Sequence, residues 1–341
     1  MKHIACFVVK LSVGAAILSS SVALGQTVED FYKGKQISLY VGYPAGGGYD
    51  LYARLLAAHY SKHIPGRPVV TVKNMEGGNG VRAAGYMTAV TPQDGLSLGL
   101  FGQALALGKL MGGPGDFDPS KFQWVGRIMT GQAFAAAWHT TGVRTVGDVK
   151  TRELITATTA TTNDAHFLPK ALNDLVGAKF KLVTGYQGSS DMLLALERGE
   201  VEAVSGIGLE IIQGSRPTWL SESKINILFT FGIGRAKDLP NVPSLVELGV
   251  DAKSRQVLSL LGGGADIGRA IAAEPMIPRD RLEALRTAFW ATVSDPEFIA
   301  SAEKTKISLE PMKGAELQAV VSSVTGSSAD VIAAARKYFA P

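Results

Sequence analysis

A strand that runs directly into a helix through three consecutive glycines constrains this chain more than any other feature. Residues Ile37–Arg54 are ISLYVGYPAGGGYDLYAR, in which the apolar start predicts a buried strand and the segment from Asp50 predicts a helix. The first N–H groups of such a helix lack an intrahelical acceptor, and the helix dipole favours an anion at this end. Two interpretations stay open: an anion-binding loop, or an ordinary tight turn in which Asp50 caps the helix.

The loop lacks the sequence of a nucleotide-binding loop. No Gly-Lys-Ser/Thr follows the glycines, which excludes a Walker A motif, and Leu51 stands where the dinucleotide fingerprint needs its third glycine. A phosphate-binding function is therefore disfavoured.

The N-terminus has the pattern of a secretory signal peptide. Lys2 and Lys10 are followed by an apolar run, Leu11–Leu18, and Ala23-Leu24-Gly25 fits a small-x-small cleavage site. The apolar run is too short for a membrane anchor. We therefore expect residues 1–25 to be a signal peptide and the mature protein, starting at Gln26, to lie in the periplasm.

Composition disfavours several classes of function. The only cysteine, Cys6, precedes the predicted cleavage site, so the mature chain would have no disulfide, thiol nucleophile or thiolate metal site. The formal charge of +4 falls to +2 when Lys2 and Lys10 leave with the leader, and no basic run stands out. We therefore expect no nucleic-acid partner. His59 and His63 have the spacing of metal ligands, but no third ligand lies near them in sequence, so no metal and no cofactor are predicted.

The chain repeats strand–loop–helix units, and the pattern starts again in its second half. In the first half, strands near Val69–Val72 and Leu96–Phe101 end in loops with Gly, Asn or Gln. In the second half, Leu154–Ala157 and Lys181–Thr184 end in loops rich in Thr, Gly and Ser. Such units predict an α/β fold of mostly parallel sheets flanked by helices. Ligands of open α/β sheets bind at the carboxyl ends of strands, so two such lobes facing one another would enclose a cleft.

One motif points to an enzyme instead. Gly95-Leu96-Ser97-Leu98-Gly99 matches the G-x-S-x-G nucleophile elbow, which requires its serine at a turn between a strand and a helix. Here Ser97 lies inside the apolar strand, so we predict that it is not catalytic. The remaining loop groups are mostly neutral donors, which suit reversible binding of a carboxylate.

Several ordered motifs together resemble the periplasmic solute-binding proteins of tripartite tricarboxylate transporters, the TctC or Bug-type receptors. They are KGKQI at 33–37, PAGGGYDLYAR at 44–54, TGYQGSSD at 184–191 and LPNVPSLVELG at 239–249. The match covers the chain from about Lys35 to Gly249. The resemblance implies a two-lobed, type II-like periplasmic-binding-protein fold with the ligand cleft between the lobes. It also implies that residues 26–130 form the first part of lobe 1 and residues 131–232 form lobe 2. Residues 233–341 would return to lobe 1 and supply C-terminal helices that pack across the lobes.

The function implied by the resemblance is that of a monomeric extracytoplasmic receptor and not of an enzyme. Such a receptor binds a small organic carboxylate, either a di- or tricarboxylate or an aromatic acid. It delivers the ligand to the membrane permease subunits of a tripartite transporter. Two alternatives are a periplasmic carboxylate sensor for a membrane kinase and a secreted α/β hydrolase acting through Ser97.

The resemblance also places ligand-binding residues in loops of both lobes. In lobe 1 they are Tyr43, Pro44, Ala45, Gly46, Gly47, Gly48, Asp50, Gly78, Asn79, Gly80 and Gln103. In lobe 2 they are Thr161, Thr162, Asn163, His166, Tyr186, Gln187, Gly188 and Ser189. Position 49, often small in the family, is Tyr here. With Tyr43 and Tyr186 it either favours an aromatic or keto acid or simply packs between loop and helix.

Overall fold

The computed structural model describes residues 26–161 and 163–339 of the chain. The predicted signal peptide, residues 1–25, and Thr162 therefore lie outside the described residues. Within the described part of the chain, no helix is both long enough and apolar enough to span a membrane.

The first sheet forms around the strand that precedes the glycine loop. Its strands are β1 (Gln36–Val41), β2 (Val69–Asn74), β3 (Ser97–Leu100), β4 (Gln123–Met129), β10 (Arg269–Ala273) and β11 (Met312–Lys313). The order across the sheet is β11-β4-β10-β3-β1-β2. β1 is parallel to β2 and β3, whereas β10 is antiparallel to β3 and β4, and β11 to β4.

The second sheet is built from the middle of the chain. Its strands are β5 (Phe134–Trp138), β6 (Leu154–Ala157), β7 (Phe180–Val183), β8 (Ala203–Ile207) and β9 (Ile225–Thr230). The order is β7-β6-β8-β5-β9, with β6 parallel to β7 and β8, and β5 antiparallel to β8 and β9. We call the first sheet with its helices lobe 1 and the second sheet with its helices lobe 2.

Helices cover both faces of each sheet. They are α1 (Val28–Tyr32), α2 (Gly48–Tyr60), α3 (Val81–Ala89), α4 (Leu105–Leu110), α5 (Val146–Thr151), α6 (Asp164–Val176), α7 (Ser189–Glu197), α8 (Leu209–Ser215), α9 (Ala252–Ile267), α10 (Arg279–Val293), α11 (Pro296–Lys304), α12 (Gly314–Thr325) and α13 (Ala329–Arg336). Along β1, Leu39 and Val41 enter one hydrophobic cluster with α2 and α10, while Tyr40 enters another with α3. This follows from the alternation of side chains along a strand, and it explains why β1 is apolar along most of its length.

The chain crosses between the lobes at two adjacent segments and again along α12, whose Val321 packs in lobe 1 while Val324 packs with α13 in lobe 2. Residues 130–133 join β4 to β5, and Gly268 joins α9 to β10. The two segments touch, because the Gly131 N–H donates to the Ala265 carbonyl at 2.8 Å. Gly268 has a positive φ, and a Cβ there would lie 2.3 Å from the carbonyl oxygen of Met129. Glycine is therefore required where the two crossing segments pack against each other.

The sheets differ from the prediction in one respect, since both are mixed rather than mostly parallel. The strands that follow a crossing, β5 and β10, enter their sheets antiparallel to the neighbouring strands. Their first residues therefore lie at the sheet edge where the parallel strands β1–β3 and β6–β8 end. Residues from the crossings thus reach the same edge as the predicted binding loops.

Candidate functional site

The glycine loop after β1 is held in place by a buried carboxylate. Asp50 is only 1% exposed, and its oxygens accept hydrogen bonds from the Gly46 N–H at 2.8 Å, Arg54 Nε at 2.7 Å and Asn74 Nδ2 at 2.9 Å. Burial alone would raise the pKa of Asp50, but these bonds more than offset it and lower the pKa to about 2. Asp50 is therefore ionised and fully engaged in bracing the loop.

The interpretation of Asp50 as the helix cap is wrong. The residue that precedes α2 is Gly47, and Asp50 is the third residue of the helix. Its side chain reaches back to the Gly46 N–H instead of capping an N–H within the helix. Gly48 and Tyr49 are the first residues of the helix, so their N–H groups have no acceptor within the helix. They lie at the end of β1 that faces lobe 2.

Tyr43 and Tyr49 form a stacked pair beside this helix start. Their ring centres are 4.2 Å apart at 16°, and the Tyr49 hydroxyl accepts a hydrogen bond from the Gln103 N–H at 3.1 Å. Burial raises the pKa of both phenols, so both are neutral. Tyr49 thus joins the loop after β1 to the loop after β3, which favours the packing interpretation of its ring.

The three loops of lobe 1 contact one another at the end of the sheet. A Cβ at Gly42 would lie 2.4 Å from the Gly80 Cα, and Gly80 itself has φ +101°. The Gly102 N–H donates to the Asn79 carbonyl at 2.9 Å. The backbones can approach this closely only because glycines stand at the contacts. The structure therefore brings together the lobe 1 residues that the resemblance placed at the ligand, with Pro44, Ala45, Gly46 and Gly48 exposed to solvent.

The lobe 2 loops also meet. Asn163, which precedes α6, donates from Nδ2 to the Thr159 hydroxyl at 2.8 Å, and the Gly185 N–H donates to the Thr159 carbonyl at 3.1 Å. His166 lies in the first turn of α6, with Nδ1 3.2 Å from the Thr158 hydroxyl. Burial, with a smaller effect of Lys170, lowers the pKa of His166.

The remaining lobe 2 candidates lie around the start of α7. Tyr186 is half-buried against the lobe 2 core, whereas Thr161 is half-buried and Gln187 exposed on the loops. Gly188 precedes α7 in an extended conformation without a side-chain cap, so the first N–H groups of the helix, beginning at Ser189, have no intrahelical acceptor.

A cavity of about 280 Å³ lies between the lobes where these loops face each other. Its lining residues are Gln103, Thr130, Gly131, Gln132, Ala133, Asp164, Ser189, Gly206, Gly208, Glu210, Ile211 and Arg269. The lobes are joined across it, because Gln103 Nε2 donates to Asp164 Oδ2 at 3.3 Å. Of the predicted site residues that the structure describes, Gln103 and Ser189 line this cavity, and the others lie in the neighbouring loops and first helical turns.

Sequence reasoning missed the charged residues of the cavity. Arg269 begins β10, and because β10 is antiparallel to β3, its first residue lies at the loop edge of the sheet. Asp164 is the first residue of α6, and burial raises its pKa. Glu210 lies in the first turn of α8. A single signal was available for Arg269: a lone charge at the head of an otherwise apolar strand, RAIAA.

The hydrolase motif is far from this edge. Ser97 is the first residue of β3, whereas the cavity lies beyond the last residue. Its side chain is 5% exposed, and its N–H donates to Glu274 at 2.8 Å. Among the residues that the structure describes, no group of three or more His, Cys, Asp or Glu side chains is arranged to hold a metal ion.

Two α/β lobes, with loops converging on a cleft between them, define a two-lobed periplasmic-binding-protein fold. Comparison with solved structures agrees. The chain is similar to a TctC solute-binding protein from Polaromonas, solved without ligand, with 22% identity and a TM-score of 0.71 over 90% of this chain and 98% of that one. The similarity to TctC-type proteins that the motifs predicted is thereby confirmed, and the chain has their fold.

Two further solved structures are similar at lower TM-scores. A Rhodopseudomonas palustris protein with adipate is 21% identical, with a TM-score of 0.56 over 89% of this chain and 97% of that one. MatC from Rhodopseudomonas palustris, with bound malate, is 18% identical, with a TM-score of 0.55 over 87% and 99%. In sequence, the chain is 27% identical over 259 residues to the UPF0065 protein in gbd 5'region of Cupriavidus necator, covering 69% of this chain and 73% of that protein. No protein-family model matches the chain.

Proposed function

We propose that this protein is an extracytoplasmic receptor that binds a small organic carboxylate between its lobes and delivers it to a membrane permease of the tripartite tricarboxylate type. The observation that carries the proposal is the cavity between the lobes. Loops at the carboxyl ends of parallel strands from both sheets surround it, and the Gln103–Asp164 hydrogen bond spans it. Structural relatives with adipate and malate support a carboxylate as the ligand class.

The binding site comprises the predicted loops of both lobes. In lobe 1, α2 begins beside the Gly46–Gly48 loop, and the loop residues Gly78–Gly80 and Gln103 lie next to it. In lobe 2, α6 and α7 begin at Asp164 and Ser189. Helix starts attract anions through unpaired N–H groups and the helix dipole, so their convergence stabilises a bound carboxylate without a covalent step.

Export through residues 1–25 and a periplasmic location belong to the same proposal. A receptor of this kind meets its ligand outside the cytoplasmic membrane and presents it to the permease. The buried Ser97, at the opposite end of β3 from the cavity, offers no accessible nucleophile for a hydrolase.

A thermal-shift panel of mono-, di- and tricarboxylates and aromatic acids tests the proposal. A ligand at one hundred times its Kd stabilises the folded protein by about 2.7 kcal/mol, which raises the melting temperature measurably. We expect at least one acid to do so, and the corresponding amide, which lacks the charge, to have no effect. A broad panel in which no acid shifts the melting temperature would contradict the carboxylate receptor.

A further inference from the structure

The three crossings between the lobes meet at the C-terminal end of α9. This end contains three consecutive glycines, Gly262–Gly264, although glycine is among the least favourable residues inside a helix. A Cβ at Gly263 would overlap the side chain of Val324 in α12, and a Cβ at Gly264 would lie 3.3 Å from the carbonyl oxygen of Gln103 in lobe 1. The glycines therefore let lobe 1 and the third crossing approach a helix that packs in the core of lobe 2.

Lobe 1 and the first crossing supply hydrogen-bond donors to the last carbonyls of α9. The Ala265 carbonyl accepts from the Gly131 N–H at 2.8 Å and from the Thr130 hydroxyl at 3.1 Å. The Asp266 carbonyl accepts from Arg127 Nη1 at 2.7 Å. The last carbonyls of a helix have no donor within the helix, and the helix dipole favours a cation at this end. Arg127, which belongs to β4, provides that cation from lobe 1.

The Arg127 side chain is held in lobe 1 by Glu310. Arg127 is only 4% exposed, and it donates from Nε to the Glu310 carbonyl and from Nη2 to Glu310 Oε1, both at 3.3 Å. The Glu310 N–H in turn donates to the Ile128 carbonyl at 3.0 Å, which attaches this segment to β4. The guanidinium is thus fixed to lobe 1 while one of its N–H groups reaches α9.

The residue that accepts this bond also contacts lobe 2. Asp266 Oδ2 accepts from the Ile233 N–H, in the segment after β9, at 2.6 Å. Three residues after Asp266, Arg269 begins β10 and lines the cavity between the lobes. The end of α9 is therefore bound to lobe 1 through a carbonyl and to lobe 2 through a carboxylate, and it leads directly to a residue of the cleft.

We propose that Arg127 is a positioning residue whose bond to the Asp266 carbonyl makes the end of α9 the pivot of lobe movement. Lobe 2 turns about this point, and because the point is fixed to β4, Arg269 keeps its place at the cleft as the lobes move. The inference rests on the proposed function only in that a receptor closes its lobes on a ligand. Lysine at position 127 would keep the charge but lacks the planar fork that joins Asp266 to Glu310.

Distances between spin labels on the two lobes, measured by pulsed electron paramagnetic resonance, test this inference. Cys6 is the only cysteine of the chain, so a Cys6→Ser background can be labelled at Ala58→Cys in α2 and Glu200→Cys after α7, both exposed positions. We expect Arg127→Lys to broaden the distance distribution of the ligand-free protein about twofold, because more lobe angles become populated. No ligand is needed for this measurement.

Arg286→Lys is the matched control. Arg286 also donates to a carbonyl, that of Trp124 at 2.9 Å, and to a glutamate, Glu283 at 3.0 Å, but all three residues belong to lobe 1. Its lysine variant should leave the distance distribution as in the wild type even where it lowers the melting temperature. The comparison therefore separates a pivot from a contribution to stability alone.

Glu310→Gln provides a second variant, which should fold because the Glu310 side chain is 38% exposed. It removes the ion pair and leaves the Asp266 bond, so we expect it to broaden the distribution less than Arg127→Lys does. The affinity of Arg127→Lys for the acid with the largest thermal shift should fall about fivefold, because fewer molecules are in the closed arrangement.

An unchanged distribution in both Arg127→Lys and Glu310→Gln, or equal broadening in Arg286→Lys, would overturn the pivot and leave the proposed receptor intact. Absence of binding by every acid would contradict the proposed function alone, since the distances are measured without ligand.

Discussion

Two helix starts at the cleft have the same sequence layout in different surroundings. In lobe 1, α2 follows Gly47 and has Asp50 as its third residue, and in lobe 2, α7 follows Gly188 and has Asp191 as its third residue. Asp50 is buried and accepts three hydrogen bonds, whereas Asp191 is exposed and makes none among the described residues. The same Gly-x-x-Asp spacing therefore yields a braced loop in one lobe and an unbraced one in the other.

The position of the preceding strand in its sheet explains the difference. β1 is flanked by β3 and β2, and the end of β2 supplies Asn74 to the Asp50 carboxylate. β7 is an edge strand, so no outer neighbour can supply a similar group beside α7. If both helix starts bind the proposed ligand, lobe 1 presents a loop held in place by a buried carboxylate, and lobe 2 presents one without such a contact.

The largest expected effect comes from removing the brace. Asp50→Ala should lower the free energy of unfolding by about 2–3 kcal/mol, because a buried charged acceptor and its donors lose their bonds. Asp191→Ala, at the matching position of lobe 2, should change it by less than about 0.5 kcal/mol. Urea denaturation of both variants measures the difference. Equal losses would mean that the two loops are not braced differently.

A second prediction concerns the pH dependence of stability, which we expect to arise at the end of lobe 1 opposite the cleft. Glu274 follows β10 at the end opposite the cleft and is fully buried, and its Oε2 has no partner among the described residues. Burial, with a smaller effect of Asp94, raises the pKa of Glu274 from 4.5 to about 7. A raised carboxyl pKa means that the folded state binds its proton more tightly, so stability declines as pH rises from 4.5 towards 7.

Glu274→Gln should remove this decline, which is on the order of 2 kcal/mol. Urea denaturation at pH 5 and pH 8 provides the measurement, and the variant should be more stable than the wild type at pH 8. Asp50 contributes no change in this range, since its lowered pKa confines its effect to pH below 3.8. A wild type and variant with the same pH dependence would show that the Glu274 carboxyl is solvated.

The sequence predicted much of the lobe architecture, because apolar strands followed by glycine or hydroxyl loops recur along it. Residues 37–54 formed the expected strand, loop and helix, as local patterns fix such units. The antiparallel strands and the cleft charges were not predictable in this way. Arg269 lies 166 positions after Gln103 in the sequence and reaches the same cavity only because of the second crossing. That proximity is a tertiary property, and no local pattern encodes it.

The bracing of Asp50 was likewise missed. An aspartate at the start of a helix is typical of a helix cap. Here the hydrogen-bond partners of Asp50 depend on the neighbouring strand β2, which supplies Asn74. Sequence spacing placed Asp50 correctly at the helix start and could not choose between capping and bracing, because the choice depends on the order of the strands.

The most direct test of a ligand held by both lobes substitutes one glycine in each lobe and measures ligand affinity by calorimetric titration. The ligand is the acid that gives the largest thermal shift. Gly47 and Gly188 precede α2 and α7 in conformations that any residue adopts, and a Cβ at either position meets nothing closer than 3.5 Å. Gly47→Val and Gly188→Val should therefore fold and screen the helix-start N–H groups.

Gly85→Ala, in α3 with open space around the added carbon, is the control. We predict that each valine variant weakens binding about tenfold, or about 1.4 kcal/mol, with the control unchanged. Wild-type affinity in either valine variant would contradict a ligand clamped between the two helix starts.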